Sequence, residues 1–124
     1  MRLTFLGKES DHGDSPTLYA TDRNSYVIQG YVVGRADMPP ELDIPDGETV
    51  VRIYARLLPH LAKDGLSGIV AHRTAPVVGV LDNGDLIIQG TRVTDPEALD
   101  HLAIPTHEDA VEVTREAMKA VLRE

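Results

Sequence analysis

Apolar and polar residues alternate along two pairs of short runs in this chain. Residues 17–21 and 26–33 form the first pair, and residues 77–81 and 86–93 form the second, each with a polar tetrapeptide between its members. Alternation in runs rich in Val, Ile, Thr and Tyr is typical of strands. Asn83-Gly84 tolerates the positive φ of a tight turn. The pattern predicts two β-hairpins, preceded by a short strand over residues 2–6 and a polar loop over 7–16.

A short helix is predicted after the second hairpin. Thr94 and Glu97 have the spacing of a capping box, in which Thr94 caps the backbone amides and Glu97 reaches back. Pro96 suits the first turn of such a helix. Residues 34–40, at the corresponding place after the first hairpin, include two prolines, so the first helix is expected to be shorter or missing.

Each half is then predicted to end in a strand and a helix. Residues 48–53 and 108–113 place Val and Ile on one face of an extended chain, and apolar residues recur at helical spacing over 55–63 and 115–123. Thr114 is suited to cap the last helix, whereas Pro59 is tolerated only in a first turn. Residues 69–71 add a candidate strand between the halves.

The order of predicted elements recurs because the sequence repeats itself. With a shift of 60 residues and no gap, eleven of the 49 pairs from 16/76 to 64/124 are identical, where ordinary composition gives roughly three. In the first copy the identical residues are Pro16, Asp22, Ile28, Gln29, Gly30, Val33, Leu42, Ile44, Pro45, Glu48 and Val51. Matched positions are expected to serve the fold, and unmatched positions are where a function specific to one half would lie.

We therefore predict an α+β fold built from a tandem internal repeat of ββαβα-like units, related by pseudo-twofold symmetry and carrying small antiparallel sheets. The units are residues 1–64 and 65–124. About 60 residues are marginal for an independent domain, so the units are expected to share one core. The pattern leaves open whether they exchange strands.

The composition indicates the class of protein and its expected location. It is 42% hydrophobic and 26% charged, which is typical of a soluble globular protein. No apolar stretch is long enough for a signal peptide or a membrane span, so a cytoplasmic location is expected. The chain contains no cysteine, which excludes disulfides, thiolate nucleophiles and cysteine-ligated metal sites.

The formal net charge of −8 disfavours direct contact with nucleic acid. Residues 1–64 carry seven basic and ten acidic side chains, residues 65–124 carry five and ten, and neither half has a basic stripe. Binding to phosphates needs clustered Lys and Arg. A basic protein partner therefore suits the chain better than nucleic acid or a membrane, although a charge of this size also serves solubility alone.

Several segments resemble small actinobacterial domains of unknown function, which are commonly encoded beside helix-turn-helix transcription regulators. Residues 80–88 are similar to the hairpin of that family, residues 114–122 to its terminal helix, and residues 7–30 to further small actinobacterial proteins. Met118 and Leu58 stand where the family has an aromatic residue, and Gln-Gly stands in place of Arg-Asp-Ser. The resemblance implies an accessory protein of a transcription regulator.

No catalytic motif is present in the sequence. The histidines are His12, His60, His72, His101 and His107, and they lack close metal-ligand spacing. Those at 12, 101 and 107 lie near carboxylates, so a metal site can be drawn, but solvated acidic loops give such clusters by accident. A nucleophile elbow, a P-loop and a dinucleotide fingerprint are lacking. We predict no catalytic residue, no cofactor and no metal.

The matched dipeptides Gln29-Gly30 and Gln89-Gly90 are candidates for a pseudo-symmetric groove. In one interpretation, the two glutamines contact a ligand or a partner across the pseudo-twofold axis. In the other, the glycines mark a bulge or bend in a long strand and the glutamines bind neighbouring backbone.

Aromatic residues break the repeat, because Phe5 and all four tyrosines lie in the first half. The matched partners of Arg52 and Arg56 are acidic. Since Tyr and Arg are enriched at interface hot spots, we predict a partner-binding surface on this half, formed by Tyr19, Tyr31, Arg52, Tyr54 and Arg56. Alternatively, the tyrosines fill the shared core asymmetrically.

Two functions remain open from the sequence. The favoured one is a non-catalytic regulatory and protein-interaction module, accessory to a helix-turn-helix regulator, with a basic DNA-binding protein as partner. The other is a small-molecule or metal-binding protein, or a small enzyme, that uses the groove between the repeats. A homodimer is compatible with both, since exposed sheet edges tend to be paired or covered.

Overall fold

The computed structural model describes residues 1–9, 16–71 and 74–123 and has a mixed α+β fold. Its strands are β1 (Leu3–Lys8), β2 (Thr17–Thr21), β3 (Ser25–Val32), β4 (Glu48–Ile53), β5 (Ile69–Val70), β6 (Val77–Val80), β7 (Leu86–Arg92), β8 (Glu108–Thr114) and β9 (Leu122–Arg123). Its helices are α1 (Pro96–Leu102), α2 (Arg115–Val121) and the 3-10 helices Arg35–Asp37 and Ala55–Asp64. No helix within the described ranges is long and apolar enough to cross a membrane.

Both hairpins expected from the alternating pattern are present. β2 pairs antiparallel with β3, and β6 pairs antiparallel with β7. The turn of the second hairpin contains Gly84 at a φ of 92°, a conformation that glycine adopts without strain. β1 pairs with β2 and adds a third strand to the first hairpin. It extends to Lys8, and residues 10–15 of the predicted loop lie outside the described residues.

Antiparallel pairing connects four strands, β3, β4, β7 and β8, in a closed cycle. β8 pairs with β3 from Ser25 to Tyr31, and β4 pairs with β7 over the whole of β4. Short pairings of β3 with β4 and of β7 with β8 complete the cycle. Each of these two long pairings joins a strand from residues 1–64 to a strand from residues 65–124. The two halves thus exchange strands, a point that the sequence left open.

The largest apolar cluster lies on the face to which alternate residues of these four strands point. Those strand residues are Tyr26, Ile28, Val51, Ile53, Leu86, Ile88, Val111 and Val113. The 3-10 helix Ala55–Asp64 packs on them through Leu57 and Leu61, and α2 packs on them through Met118 and Val121. Two smaller clusters lie around Val27 and Ile87, and α1 joins the first of these through Ala98 and Leu102.

The predicted capping box after the second hairpin is wrong in its details. The N-cap of α1 is Asp95, not Thr94, and its carboxylate accepts a hydrogen bond from the amide of Ala98 at 3.0 Å. Glu97 does not reach back to the cap, because it forms an ion pair with the amino group of Met1 at 3.1 Å. As predicted, Pro96 lies in the first turn of the helix, and the counterpart after the first hairpin is a single turn, Arg35–Asp37.

The last helix of each half also departs from the prediction. Residues Ala55–Asp64 form a 3-10 helix that contains Pro59 beyond its first turn. Proline has no amide hydrogen, and in an α-helix its ring would meet the carbonyl four residues earlier. Thr114 caps α2 as predicted, accepting from the amide of Ala117 at 3.1 Å. This helix ends at Val121, because the next two residues pair with β5.

Candidate functional site

Gly30 and Gly90 occupy places where two strands of the same half approach closely. A Cβ atom on Gly30 would lie 2.6 Å from the carbonyl oxygen of Arg52, and one on Gly90 would lie 2.6 Å from that of Glu112. Both distances are too short for a real side chain. The glycines thus allow β3 to pass β4 and β7 to pass β8, so they serve the fold by close backbone approach rather than by a bulge.

The two matched glutamines point to different places. Gln29 Nε2 donates to Glu108 Oε1 at 2.8 Å, and Gln89 Nε2 donates to Glu48 Oε1 and to the carbonyl oxygen of Asp43, each at 3.1 Å. Gln29 and Gln89 line separate cavities. They are therefore not brought together in one groove. Each donates to a carboxylate, and Gln89 also donates to a backbone carbonyl group.

Four of the five residues predicted to bind a partner form a continuous chain of contacts. The rings of Tyr31 and Tyr54 meet edge to face with centroids 6.0 Å apart, and their hydroxyl oxygens are 3.3 Å apart. The guanidinium carbon of Arg52 lies 5.1 Å from the centroid of Tyr31, and that of Arg56 lies 4.4 Å from the centroid of Tyr54. Strand pairing explains the arrangement, because Tyr31 in β3 lies opposite Arg52 in β4.

His107, which the sequence indicated only as a metal-ligand candidate, extends this chain. Its ring stacks on Tyr31 with centroids 6.4 Å apart and an angle of 22° between the planes. The pairing of Tyr31 with Glu108 brings the neighbouring His107 to this place, and no local pattern in the sequence signals that pairing. We call Tyr31, Arg52, Tyr54, Arg56 and His107 the aromatic–arginine patch.

Both arginines of the patch have carboxylate partners. Arg52 pairs with Asp85 at 2.8 Å, and Arg56 pairs with Glu9 at 3.0 Å. A hydrogen bond from His60 at 2.8 Å, assisted by Arg56, holds the pKa of Glu9 below its usual value. The positive charges of Arg52 and Arg56 are thus compensated locally, and the ion pairs hold the two guanidinium groups in place.

The hydroxyl group of Tyr31 stays neutral at physiological pH. Burial, followed by the hydrogen bond with Tyr54, raises the pKa of Tyr31 to about 12. The patch therefore presents the neutral phenol of Tyr31 beside the compensated guanidinium group of Arg52.

Tyr19 does not join the patch. It lies in β2, where its ring meets Phe5 and His101 edge to face at centroid distances of 6.1 Å and 5.5 Å. Its half-buried ring also packs against the cluster around Val27. For Tyr19, the alternative interpretation of a packing residue describes the surroundings better.

A groove adjoins the patch at Arg52. It has a volume of about 500 Å³ and lies between the 3-10 helix Arg35–Asp37 and the turn that joins β6 to β7. Its lining includes the exposed carboxylates of Asp37 and Asp82, neither of which forms an ion pair with the described residues. This edge of the patch is therefore acidic.

Within residues 1–9, 16–71 and 74–123, no group of three or more His, Asp and Glu side chains is arranged to hold a metal ion. The candidate ligand His12 lies outside these ranges. His101 lies beside Tyr19, and His107 lies in the patch, so these two predicted metal-ligand candidates occupy different places.

Comparison of the chain with protein-family models, curated proteins and solved structures finds no significant match. The resemblance to small actinobacterial domains consequently stays a prediction.

Proposed function

We propose that the protein is a non-catalytic interaction module and that the aromatic–arginine patch is its docking surface. The observation that carries the proposal is the continuous contact chain from His107 through Tyr31 and Tyr54 to Arg56. Tyr and Arg supply much of the binding energy at protein interfaces. Side chains that are already stacked lose little further conformational freedom when a partner covers them.

The charges around the patch favour a basic partner. Asp85 and Glu9 compensate Arg52 and Arg56, whereas Asp37 and Asp82 in the adjoining groove leave excess negative charge. The whole chain has a net charge of −8. Complementary charge speeds association and selects partners. A basic DNA-binding regulator fits this requirement and agrees with what the resemblance to small actinobacterial domains implies.

We further infer that the two halves are copies of one unit, related by a pseudo-twofold axis. Strand register supports this, because the pair Glu48↔Thr91 becomes Glu108↔Tyr31 when 60 is added to one number and subtracted from the other. The two Gln–Glu hydrogen bonds are related in the same way. Four patch residues, Tyr31, Arg52, Tyr54 and Arg56, lie in residues 1–64 where the copies differ, and His107 joins them from the other half.

Quantitative affinity purification tests the docking proposal. Tagged wild-type protein and the variant Arg52→Ala/Tyr54→Ala are compared in cells that express the chain, with Phe5→Ala as the control because Phe5 is an exposed aromatic outside the patch. We expect a basic protein to co-purify with the wild type and the control, to be lost with the double variant, and to be released by salt. Equal recovery of the same proteins by all three would contradict the proposal.

Small-molecule binding is a second candidate function. It is favoured by a different observation, the gathering of buried polar side chains at a cavity that meets the patch only where Glu108 approaches His107.

A further inference from the structure

Buried polar side chains gather at one cavity. In the described part of the chain the buried polar or charged residues are Thr17, Ser25, Gln29, Asp85 and Glu108. Three of them, Thr17, Gln29 and Glu108, line the same cavity of about 300 Å³. Burying polar groups costs free energy unless they find partners, and a few convergent polar groups in a concave site are typical of ligand pockets.

Strand register builds one wall of this cavity. Lys8 in β1 lies opposite Thr17 in β2, and Thr17 lies opposite Gln29 in β3. Residues opposite each other point to the same face of a sheet, so these three side chains form a row. The backbones of Lys8 and Gln29 are two strand spacings apart, a distance of roughly 10 Å.

The other wall is apolar and comes from the segment after α1. Leu102, Ala103 and Pro105 line it. Ala103 has a φ of 48°, which is uncommon for a residue other than glycine. Tyr19 lines the cavity from β2. The cavity thus combines an apolar side with a polar row.

The cavity has opposite charges near the two ends of the polar row, because Lys8 is one end of the row and Glu108 is bonded to Gln29 at the other. Glu108 Oε1 accepts from Gln29, while the buried Oε2 accepts no hydrogen bond from the described residues. His107 Nε2 lies 3.2 Å from Oε2, outside hydrogen-bond geometry, and imidazole is charged only when protonated. Lys8 is exposed and forms no ion pair with the described residues. Glu108 thus offers a carboxylate and Lys8 an ammonium group.

We propose that this cavity binds a small zwitterion whose amine lies towards Glu108 and whose carboxylate lies towards Lys8. An aliphatic chain of several carbon atoms between the two groups spans the row and packs against Leu102 and Pro105. A ligand with only one of the two charges leaves one end of the site unpartnered.

Three probes of equal length test the proposal. These are 5-aminopentanoate, pentanoate, which lacks the amine, and pentylamine, which lacks the carboxylate. Each is titrated into isotopically labelled protein and followed by two-dimensional amide NMR. We expect 5-aminopentanoate to bind with a Kd on the order of 1 mM and to shift the amides of Gln29 and Ala103. The other two probes should bind at least about tenfold more weakly.

Two variants assign the ends of the site. Glu108→Gln should reduce the affinity for 5-aminopentanoate to that for pentanoate, and Lys8→Met should reduce it to that for pentylamine. Glu48→Gln is the matched control, because Glu48 forms the corresponding bond with Gln89 in the other half and should leave binding unchanged. The NMR spectrum of each variant also reports whether it is folded.

Absence of saturable shifts with 5-aminopentanoate up to about 10 mM would overturn the proposal. Equal binding of pentanoate, or unchanged binding by folded Glu108→Gln, would overturn the role of the amine. Failure of this proposal is distinguishable from failure of the docking proposal, because ligand binding is measured by amide shifts and docking by recovery of a protein partner. The Lys8→Met variant separates the two further, since Lys8 lies at the end of the cavity away from His107.

Discussion

Gly30 and Gly90 show how one missing side chain decides where two strands can meet. The sequence revealed both glycines as matched residues, but their role depends on the carbonyl groups of Arg52 and Glu112, which lie 22 residues further along the chain. A local pattern contains no information on such an approach. The identity of the residues was therefore predictable, and the reason for them was not.

Replacing either glycine with alanine should destabilise the protein. In Gly30→Ala or Gly90→Ala, the new Cβ atom would lie 2.6 Å from a backbone oxygen, and overpacking of this kind costs about 1–3 kcal/mol. Gly34→Ala is the control, since nothing lies within 4 Å of its Cβ position and its φ is −72°. We expect the control to change the free energy of unfolding by less than about 0.5 kcal/mol. Urea denaturation measures all three, and equal stabilities would contradict the close approach.

Tyr26 should make the protein sensitive to alkali. Burial, followed by a hydrogen bond to Asp64, raises the pKa of Tyr26 from 10.0 to about 12. The folded state thus holds this proton more tightly than the unfolded state. The resulting stability is complete below pH 10 and is lost as the pH rises towards 12. Denaturation at a series of pH values should show this decline, and Tyr26→Phe should reduce its slope. An unchanged slope would contradict the assignment.

At the scale of elements, most of the strands and turns followed from local sequence. Alternation located both hairpins, and Thr114 was recognised as the cap of α2. The cap of α1 was misassigned because Thr94 and Asp95 are adjacent and both are good caps. Pairing of Asp95 with the amino group of Met1 at 3.1 Å, a contact between distant parts of the chain, is invisible in the local pattern.

Substitutions of these two neighbours should separate their roles. Asp95→Ala removes the cap of α1 and should lower the melting temperature, whereas Thr94→Ala should leave it nearly unchanged.

The stability that Asp95 contributes should also depend on pH. The hydrogen bond from the amide of Ala98, followed by that from the Met1 amino group, lowers the pKa of Asp95. Its contribution is therefore present above the unfolded pKa, near 3.8, and is lost as the pH falls through the folded value. Asp95→Asn should weaken that acid dependence. Thermal melts between about pH 2 and about pH 7 provide the measurement, and a larger effect of Thr94→Ala would contradict the assignment.

At the scale of the whole molecule, the two longest strand pairings both cross between the halves. The repeat predicted two related units and left open how they combine, because pairing between distant strands depends on loop closure and packing rather than on local alternation. The aromatic–arginine patch was likewise predictable from the sequence only in part. Its tyrosines and arginines were found as departures from the repeat. His107 could be assigned to the patch only from the pairing of β3 with β8, which places its ring on Tyr31.

Separated halves should therefore fail to fold. Fragments 1–64 and 65–124 each lose the partner of their longest strand pairing. We expect each alone to have a disordered circular-dichroism spectrum and an equimolar mixture to recover strand signal. A folded spectrum from either fragment alone would contradict the exchange of strands.

The central claim, that the aromatic–arginine patch is a docking surface for a basic protein, is tested most directly by photo-crosslinking in cells. The crosslinker p-benzoylphenylalanine is placed at Arg56, whose side chain is 52% exposed, and in a matched chain at the exposed Glu116, its counterpart in the repeat. We predict a discrete adduct with a basic protein from position 56 and none from position 116. Absence of an adduct at position 56, or the same adduct from both positions, would contradict the account.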